Sequence, residues 1–388
     1  MLRTTTKTKE ACEIFALSPS HKSCTQLQCT LRCVRDADRI VERIKIIRGV
    51  VTRAAVLSAR CTVPILSADR GMTASGSPSA PPVKPFDVAV FNSLLSTRKI
   101  GRRIDCHTST PSTMNLADER LRKEGAAAAH GSIILAEAQT SGVGRRGRSW
   151  QSLPLGNLYF SLLWTPVPPG MPTPSSPAAL LPQLTQLNIA ASVAVAKAAE
   201  SAAGVTTARI KWPNDVWAGS PIPKKLSGTI LNFDGKDGAV LGVGINVLQD
   251  LSSNETATSL WALQRKELES DAFSAPHPAV TREAVLASFC AHLERLMDMP
   301  MEAVLAEYRS VDLLRGRTIR VHHKTREETD PRDFDAEVLG VDASGQLKVR
   351  PRLGGPERVL SGEEVSISPQ FSLDGGEGKS AEGDCKAS

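Results

Sequence analysis

Short apolar runs and a few longer stretches with helical spacing divide the chain into recognisable elements. Ser132–Ala136 and Asn157–Trp164, the latter with Leu158, Phe160 and Leu162 in alternation, predict strands. Leu184–Ala203 is Ala-rich without an internal Pro or Gly and predicts a helix, with Gly204 placed as its C-cap. Arg209–Trp212, Leu226–Phe233 and Ala239–Val247 predict three further strands, and the proline-rich stretch Thr165–Pro182 a surface loop. Arg282–Arg309 carries apolar residues at i, i+3, i+4 and i+7 and predicts one long helix. From Arg317 the period becomes two. Thr318–Val321, Asp335–Leu339, Gln346–Val349 and Arg358–Leu360 predict short strands, with a turn at Asp342–Gly345. A mixed body is therefore followed by a small all-β unit at 317–370.

Composition adds limits. The chain has 388 residues, 41% hydrophobic and 23% charged, enough for more than one core. It has no run of about 18 uninterrupted apolar residues of the kind a spanning helix needs. The net charge of +6 invites a nucleic-acid reading. Its distribution argues otherwise: residues 1–72 carry 13 Lys/Arg against 6 Asp/Glu, and residues 73–388 carry 34 against 35. The basic segment is rich in Ser and Thr and holds Cys12, Cys24, Cys29, Cys33 and Cys61. Without a CxxC pair the cysteines make a poor zinc pattern, and with only Cys106, Cys290 and Cys385 beyond them a secreted disulfide framework is not expected. The composition fits a transit peptide, with Asp36–Val51 as a candidate amphipathic helix. Residues 73–85 form a Ser/Pro linker, and Met72 stands where a second start is plausible. An organelle (plastid or mitochondrion) is slightly favoured over the cytoplasm.

Three constellations carry chemistry. Gln139 leads into Gly142-Val143-Gly144-Arg145-Arg146-Gly147-Arg148-Ser149-Trp150 directly after a strand. Glycines let backbone N–H groups approach an anion, and arginines offer forked donors for phosphate. Lys211-Trp212-Pro213-Asn214-Asp215, followed by Lys225-Leu226-Ser227-Gly228, sets a carboxylate among cations, as Mg–nucleotide chemistry requires. An ordinary surface ion pair would use the same residues. Gly242-Val243-Gly244-Ile245-Asn246 marks a strand against which something packs closely. GxxxxGK[ST], HExxH and GxSxG are absent.

In this order the motifs resemble those of the biotin–protein ligases. The glycine–arginine loop resembles GRGRRGRxW, Lys211–Asp215 matches KWPND, Lys225–Gly228 resembles K-L-x-G, and Gly242–Asn246 resembles GxGIN. Ser112-Thr113-Met114-Asn115 resembles the family's S-T-N segment. The resemblance implies an α+β fold: a mixed-sheet biotin/lipoate ligase-type catalytic domain at 86–312, then a small SH3-like β domain at 313–371. Residues 1–85 would be leader and linker, and 372–388 a disordered tail.

The resemblance also implies roles. Biotin would meet Ser112, Thr113, Met114, Gln139, Gly142, Val143, Gly144, Arg145, Lys225 and Gly228, with Gly242–Ile245 lining its pocket. ATP and the adenylate would meet Arg146, Arg148, Trp150, Lys211, Asn214 and Asn246. Lys225, Arg145 and Asp215 would carry catalysis, Asp215 as the candidate Mg²⁺ contact. Ser252–Leu260 resembles the family's adenylate-covering loop; Trp261 would stack on adenine or be partly buried at a helix start. Val143 departs from the bacterial pattern, which has Arg there. The implied reaction uses biotin and ATP with Mg²⁺, and its acceptor is the biotin carboxyl carrier domain of acetyl-CoA carboxylase or another carboxylase. Neither DNA nor membrane binding is expected. The alternatives are a lipoate–protein ligase of the same fold and a biotin-sensing DNA-binding repressor, and residues 1–72 show no helix–turn–helix pattern for the latter.

Overall fold

The structure is a computed structural model. It describes residues 84–165, 176–233, 235, 238–270, 279–323, 332–362 and 365–369. The basic segment with its candidate helix, most of the linker and the tail expected after 371 lie outside the described residues.

Seven strands form one sheet in the order β1-β2-β3-β7-β6-β5-β4. They are β1 (Ile104–His107), β2 (Ile133–Ala136), β3 (Leu158–Trp164), β4 (Arg209–Lys211), β5 (Asp215–Ala218), β6 (Lys224–Phe233) and β7 (Ala239–Ile245). β1 and β2 run parallel, and every other pair is antiparallel, so the sheet is mixed. β2, β3 and β7 are buried along nearly their whole length. Burial on both faces explains why these strands read as apolar runs.

Helices cover the sheet. α1 (Val88–Leu94) starts on Asp87, whose carboxylate accepts the Ala89 and Val90 N–H groups at 2.9 and 3.1 Å. α2 (Thr113–Glu124) starts on Ser112 and stops at Gly125, and the short α3 (Ala126–Ala129) follows. α4 (Leu181–Ala203) ends on Gly204, which takes φ +69° and returns its N–H to the Ala199 and Glu200 carbonyls. By length and composition α4 could cross a membrane. Its alanine-rich face instead packs into the core with Val193, Val195 and Leu187. Next come α5 (Leu260–Ser270), α6 (Arg282–Met297) and α7 (Met301–Ser310).

Several sequence expectations change. The long helix expected over Arg282–Arg309 is two helices. α6 stops at Asp298, and Pro300, which lacks an N–H and disfavours a helical residue before it, starts α7. The loop expected to run to Pro182 ends earlier, because a 3₁₀ turn at Pro177–Leu180 leads into α4, with Pro182 in its first turn. α1, α2, α3, β1, β5 and β12 were not foreseen, whereas α5 begins where a helix start at Trp261 was one of two readings.

A second, five-stranded antiparallel sheet has the order β11-β10-β9-β8-β12. Its strands are β8 (Thr318–His323), β9 (Phe334–Val341), β10 (Leu347–Pro351), β11 (Arg358–Leu360) and β12 (Val365–Pro369). Ile319, Val321, Ala336, Val338, Leu347, Val349 and Ile367 are buried on its inner side, the alternation from which the unit was expected. The β unit meets the first body where the Trp212 indole N–H donates to the Gly345 carbonyl at 3.1 Å, and the segment leading into it pairs with β4, Ile210 exchanging backbone hydrogen bonds with Val311 and Leu313.

Candidate active site

A cavity of about 350 Å³ opens where the glycine–arginine loop, the Lys211–Asp215 turn and the glycines of β6 and β7 meet. That volume suits a small organic ligand. The N-terminus of α2 enters it from one side. There the Thr113 N–H donates to Gln139 Oε1 at 2.9 Å, and the Thr113 hydroxyl lies 2.8 Å from Ser161 Oγ. Gln139 Nε2 donates to Ser152 Oγ at 2.9 Å. One carboxamide therefore couples the helix start to the end of the loop.

The loop closes on itself through Gly144 N–H to the Arg148 carbonyl (2.7 Å) and Trp150 N–H to the Gly142 carbonyl (2.8 Å). Arg146 sits at φ +61° between them, a left-handed position that tightens the turn at some cost for a side chain with a Cβ. Arg145 points across the cavity, donating from Nη1 to Asn214 Oδ1 at 2.9 Å and from Nη2 to the Gly362 carbonyl at 2.8 Å. Arg146 Nη2 donates to the same carbonyl at 2.9 Å. Asn214 in turn donates to the Thr229 carbonyl.

The glycine floor has a direct explanation. A Cβ on Gly244 would lie 2.5 Å from the Trp150 ring, one on Gly228 would lie 3.1 Å from it, and one on Gly242 would lie 2.9 Å from Met114 Sδ. The indole lies on this floor, its N–H buried without a hydrogen-bond partner. Lys225 Nζ stands 5.1 Å from the ring centroid and 2.9 Å from Asp215 Oδ1. Lys211 lies 4.8 Å over the Trp217 ring. Burial pulls its ammonium pKa below the ordinary lysine value, partly countered by Asp215 and reinforced by Lys225 and Arg148.

Nearly all the expected site residues converge: Ser112, Thr113, Met114, Gln139, Val143, Gly144, Arg145, Arg146, Arg148, Trp150, Lys211, Asn214, Asp215, Lys225 and Gly228 line the cavity. Gly142, Ile245 and Asn246 do not line it. Gly142 lies behind the loop, where a Cβ would meet the Trp150 carbonyl at 2.5 Å. The Asn246 side chain donates to the Thr258 carbonyl at 3.0 Å, anchoring the segment before α5. That segment, in which a covering loop was expected, bridges β6: Lys225 N–H donates to the Thr256 carbonyl and Thr258 N–H to the Lys225 carbonyl, both at 2.9 Å. Trp261 is half-buried beside Arg265 and packs against the core. Phe160, Thr229, Ile230, Ile367 and Ser368 join the wall unforeseen. Thr229 and Ile230 simply continue the Lys225–Gly228 strand, whereas Ile367 and Ser368 come from the β unit, and no local pattern announces such a meeting.

Asp215 is the one carboxylate on the wall among the described residues, and no group of three metal-ligating side chains occurs among them. Magnesium is commonly held by one or two carboxylates, with phosphates and water supplying the rest. Asp215 fits that limited role, and the chain offers no cage of its own.

Comparison with known proteins agrees with this geometry. Residues 106–250 match the biotin/lipoate A/B protein ligase family. Curated proteins similar to this chain include biotin–protein ligases. The bifunctional ligase/repressor BirA of Bacillus subtilis is 32% identical over 159 residues, 40% of this chain and 43% of that protein. The biotin–[acetyl-CoA-carboxylase] ligase of Mycobacterium tuberculosis is 33% identical over 150 residues, 38% of this chain and 50% of that protein. The matches thus span half or less of each relative's length. The fold is shared with the biotin protein ligase of Aquifex aeolicus, solved with biotin and ATP, at TM-score 0.52 and 22% identity, covering 69% of this chain and all of that one.

Proposed function

We propose that this chain is a biotin–protein ligase, which joins biotin to AMP at the expense of ATP, releasing pyrophosphate, and then passes biotin to a lysine of a carboxylase carrier domain. The observation that carries the reading is the convergence of Arg145, Asn214, Lys225 and the Gly228/Gly244 floor on one cavity. The KWPND and GxGIN motifs favour biotin over lipoate.

The geometry accounts for both half-reactions. In the first, a carboxylate oxygen attacks the α-phosphorus of ATP. Both partners are anions, so fixed cations must offset their repulsion and the charge of the transition state. Lys225 stands in the cavity with its ammonium already oriented by Asp215, and Arg145 is oriented by Asn214. Bound magnesium would add positive charge at the phosphates, with Asp215 as its protein contact. The Trp150 indole, laid on the glycine floor, offers an apolar surface that suits the uncharged ring system and chain of biotin. In the second half-reaction an amine attacks the mixed anhydride, and the protein's task is to position the two partners and exclude water.

The test is ATP–pyrophosphate exchange measured in parallel with biotin and with lipoate. Stimulation by biotin is expected; stimulation by lipoate alone overturns the reading. Transfer to the carrier domain of a carboxylase is then followed by mass spectrometry of its lysine.

A further inference from the structure

Lys225 lies on a stretch of β6 that β7 does not reach. The β6–β7 ladder begins at Ser227, which faces Ile245, and the Asn246 N–H adds one last rung to the Leu226 carbonyl at 3.0 Å. Beyond that rung one edge of β6 needs another partner, because unpaired backbone groups at a strand end open readily. The segment 254–258 takes the place of β7 there. It runs parallel to β6, with Ala257 opposite Lys225. The Thr256 carbonyl accepts the Lys225 N–H, and the Thr258 N–H donates to the Lys225 carbonyl, each at 2.9 Å. Asn254 shapes the turn that leads in: its Oδ1 accepts the Thr256 and Ala257 N–H groups at 2.9 and 2.7 Å, and its carbonyl accepts from Lys224 Nζ.

Asn246 ties this strap down. Its Nδ2 donates to the Thr258 carbonyl at 3.0 Å, and its backbone carbonyl accepts the Leu260 N–H at 3.1 Å. Asn157 fixes which way the carboxamide faces: its Nδ2 lies 3.5 Å from Asn246 Oδ1, while its own Oδ1 accepts the Val247 N–H at 2.9 Å. Asn246 therefore bonds both to Leu226, the neighbour of Lys225 on β6, and to Thr258, whose N–H holds the Lys225 carbonyl. Lys225 lines the cavity and Asn246 does not.

We infer that Asn246 is a positioning residue for Lys225: it fixes the 254–258 strap against the Lys225 backbone and so sets where the ammonium stands, without touching substrate. What Lys225 then does rests on the ligase reading above. The placement matters because a cation preorganised for a developing anion loses much of its effect when displaced by about 1 Å. A residue that acts in this way affects the transition state, so its loss lowers kcat and leaves KM in place. A residue that held the nucleotide directly would instead raise the KM for ATP. The two roles also differ in their dependence on Lys225, since only the positioning role needs the ammonium to be present.

The test compares biotin-dependent ATP–pyrophosphate exchange by the full chain with that of Asn246→Ala, Lys225→Ala and the double variant. In Asn246→Ala, kcat should fall by about tenfold or more, with the KM for ATP within about twofold of the parent. In the Lys225→Ala background the same substitution should cost less than about twofold, because no ammonium is left to place. An undiminished kcat, a raised KM for ATP, or the same loss in both backgrounds overturns the inference. A second arm follows amide hydrogen exchange in the unliganded chain. Peptides spanning 224–228 and 254–260 should exchange about tenfold faster in Asn246→Ala, while those of β7 keep the parent rate. Unchanged exchange around Lys225, or equal acceleration in β7, also overturns it. Asn246→Asp keeps the shape and removes only the donor, and it replaces Asn246→Ala in both arms if that variant does not melt cooperatively. The second arm needs neither biotin nor ATP. A parent chain whose exchange biotin does not stimulate removes the ligase reading, and the hydrogen exchange still decides whether Asn246 holds the Lys225 backbone.

Discussion

Lys225 Nζ is held 2.9 Å from Asp215 Oδ1 across the β5–β6 pair, where the register shifts between Val216 and Trp217. The shift matters because the two residues are not direct partners: Asp215 stands opposite Gly228 and Lys225 opposite Trp217. The missing side chain at Gly228 leaves the space in which the pair meets, since a Cβ there would lie 3.2 Å from both Asp215 Oδ1 and Lys225 Nζ. Lys225→Ala should therefore slow biotin-dependent ATP–pyrophosphate exchange by about 10²–10³-fold, the usual loss for one preorganised electrostatic contact. A rate within about threefold of the parent would refute the role assigned to Lys225.

Arg145 joins two parts of the fold through Asn214 and Gly362 while lining the cavity. Arg145→Gly should let the adenylate escape, because the guanidinium is the donor best placed for its phosphate. Bystander proteins mixed with the variant, ATP and biotin should then acquire biotin on their lysines, visible on a streptavidin blot. Blots no stronger than with the parent chain would remove Arg145 from the clamp.

Much of this site was legible because its chemistry is written in contiguous runs. Residues 139–150, 211–215, 225–228 and 242–246 each lie on one strand or turn, so motif order alone brought most of the wall together. What failed was what depends on partners distant in sequence. Asn246 looked like a ligand residue, yet its amide is used by Thr258. Ile367 and Ser368 reach the cavity only because the β unit docks on Trp212 and Arg145 through Gly345 and Gly362. The single helix read over 282–309 failed for a local reason: Pro300 was visible, but apolar spacing carries straight through it.

Arg282 is 2% exposed and sits against Glu137, with Nη1 2.6 Å from Oε2. It also donates to the Lys84 carbonyl at 2.7 Å, while the Phe86 N–H donates to Glu137 Oε1 at 2.6 Å. The ion pair is the clasp that holds Lys84–Phe86 against β2 and α6. Arg282→Ala should destabilise the fold by about 3–5 kcal/mol, because it strands a buried carboxylate. Chemical denaturation should show this as a lower midpoint, and a shift of under about 1 kcal/mol would contradict the clasp.

His130 stacks on Trp164 with centroids 4.5 Å apart and accepts the Thr165 N–H at Nδ1. Burial, aided by Lys99 and opposed by Glu294, lowers its pKa from 6.5. The folded state thus prefers the neutral ring, whereas the unfolded chain takes up a proton as pH falls through 6.5. This contribution to stability is present above that pH and is lost on acidification toward the lowered native value. In His130→Gln the slope from this source should vanish, so the stability gap to the parent should narrow between about pH 8 and pH 5. A gap that stays constant or widens on acidification would show that the ring is not held neutral.

Gly244 offers the sharpest test of the glycine floor. An added Cβ would lie 2.5, 2.6 and 2.8 Å from Cε2, Cζ2 and Nε1 of Trp150, contacts that no side-chain adjustment on β7 can relieve, because its backbone is paired on both sides. The indole must leave, and its place on Gly228 and beside Lys225 goes with it. Gly244→Ala should red-shift tryptophan emission as the ring meets water. Stability should fall by about 1–3 kcal/mol, as overpacking generally costs, and biotin binding measured by calorimetry should weaken sharply. Because Gly142 and Gln139 tie the loop back behind Trp150, the displaced ring has to carry residues 143–150 with it. An unchanged emission maximum with intact biotin binding would show that the floor tolerates a methyl group, and that the glycines of β7 serve the backbone rather than the ligand.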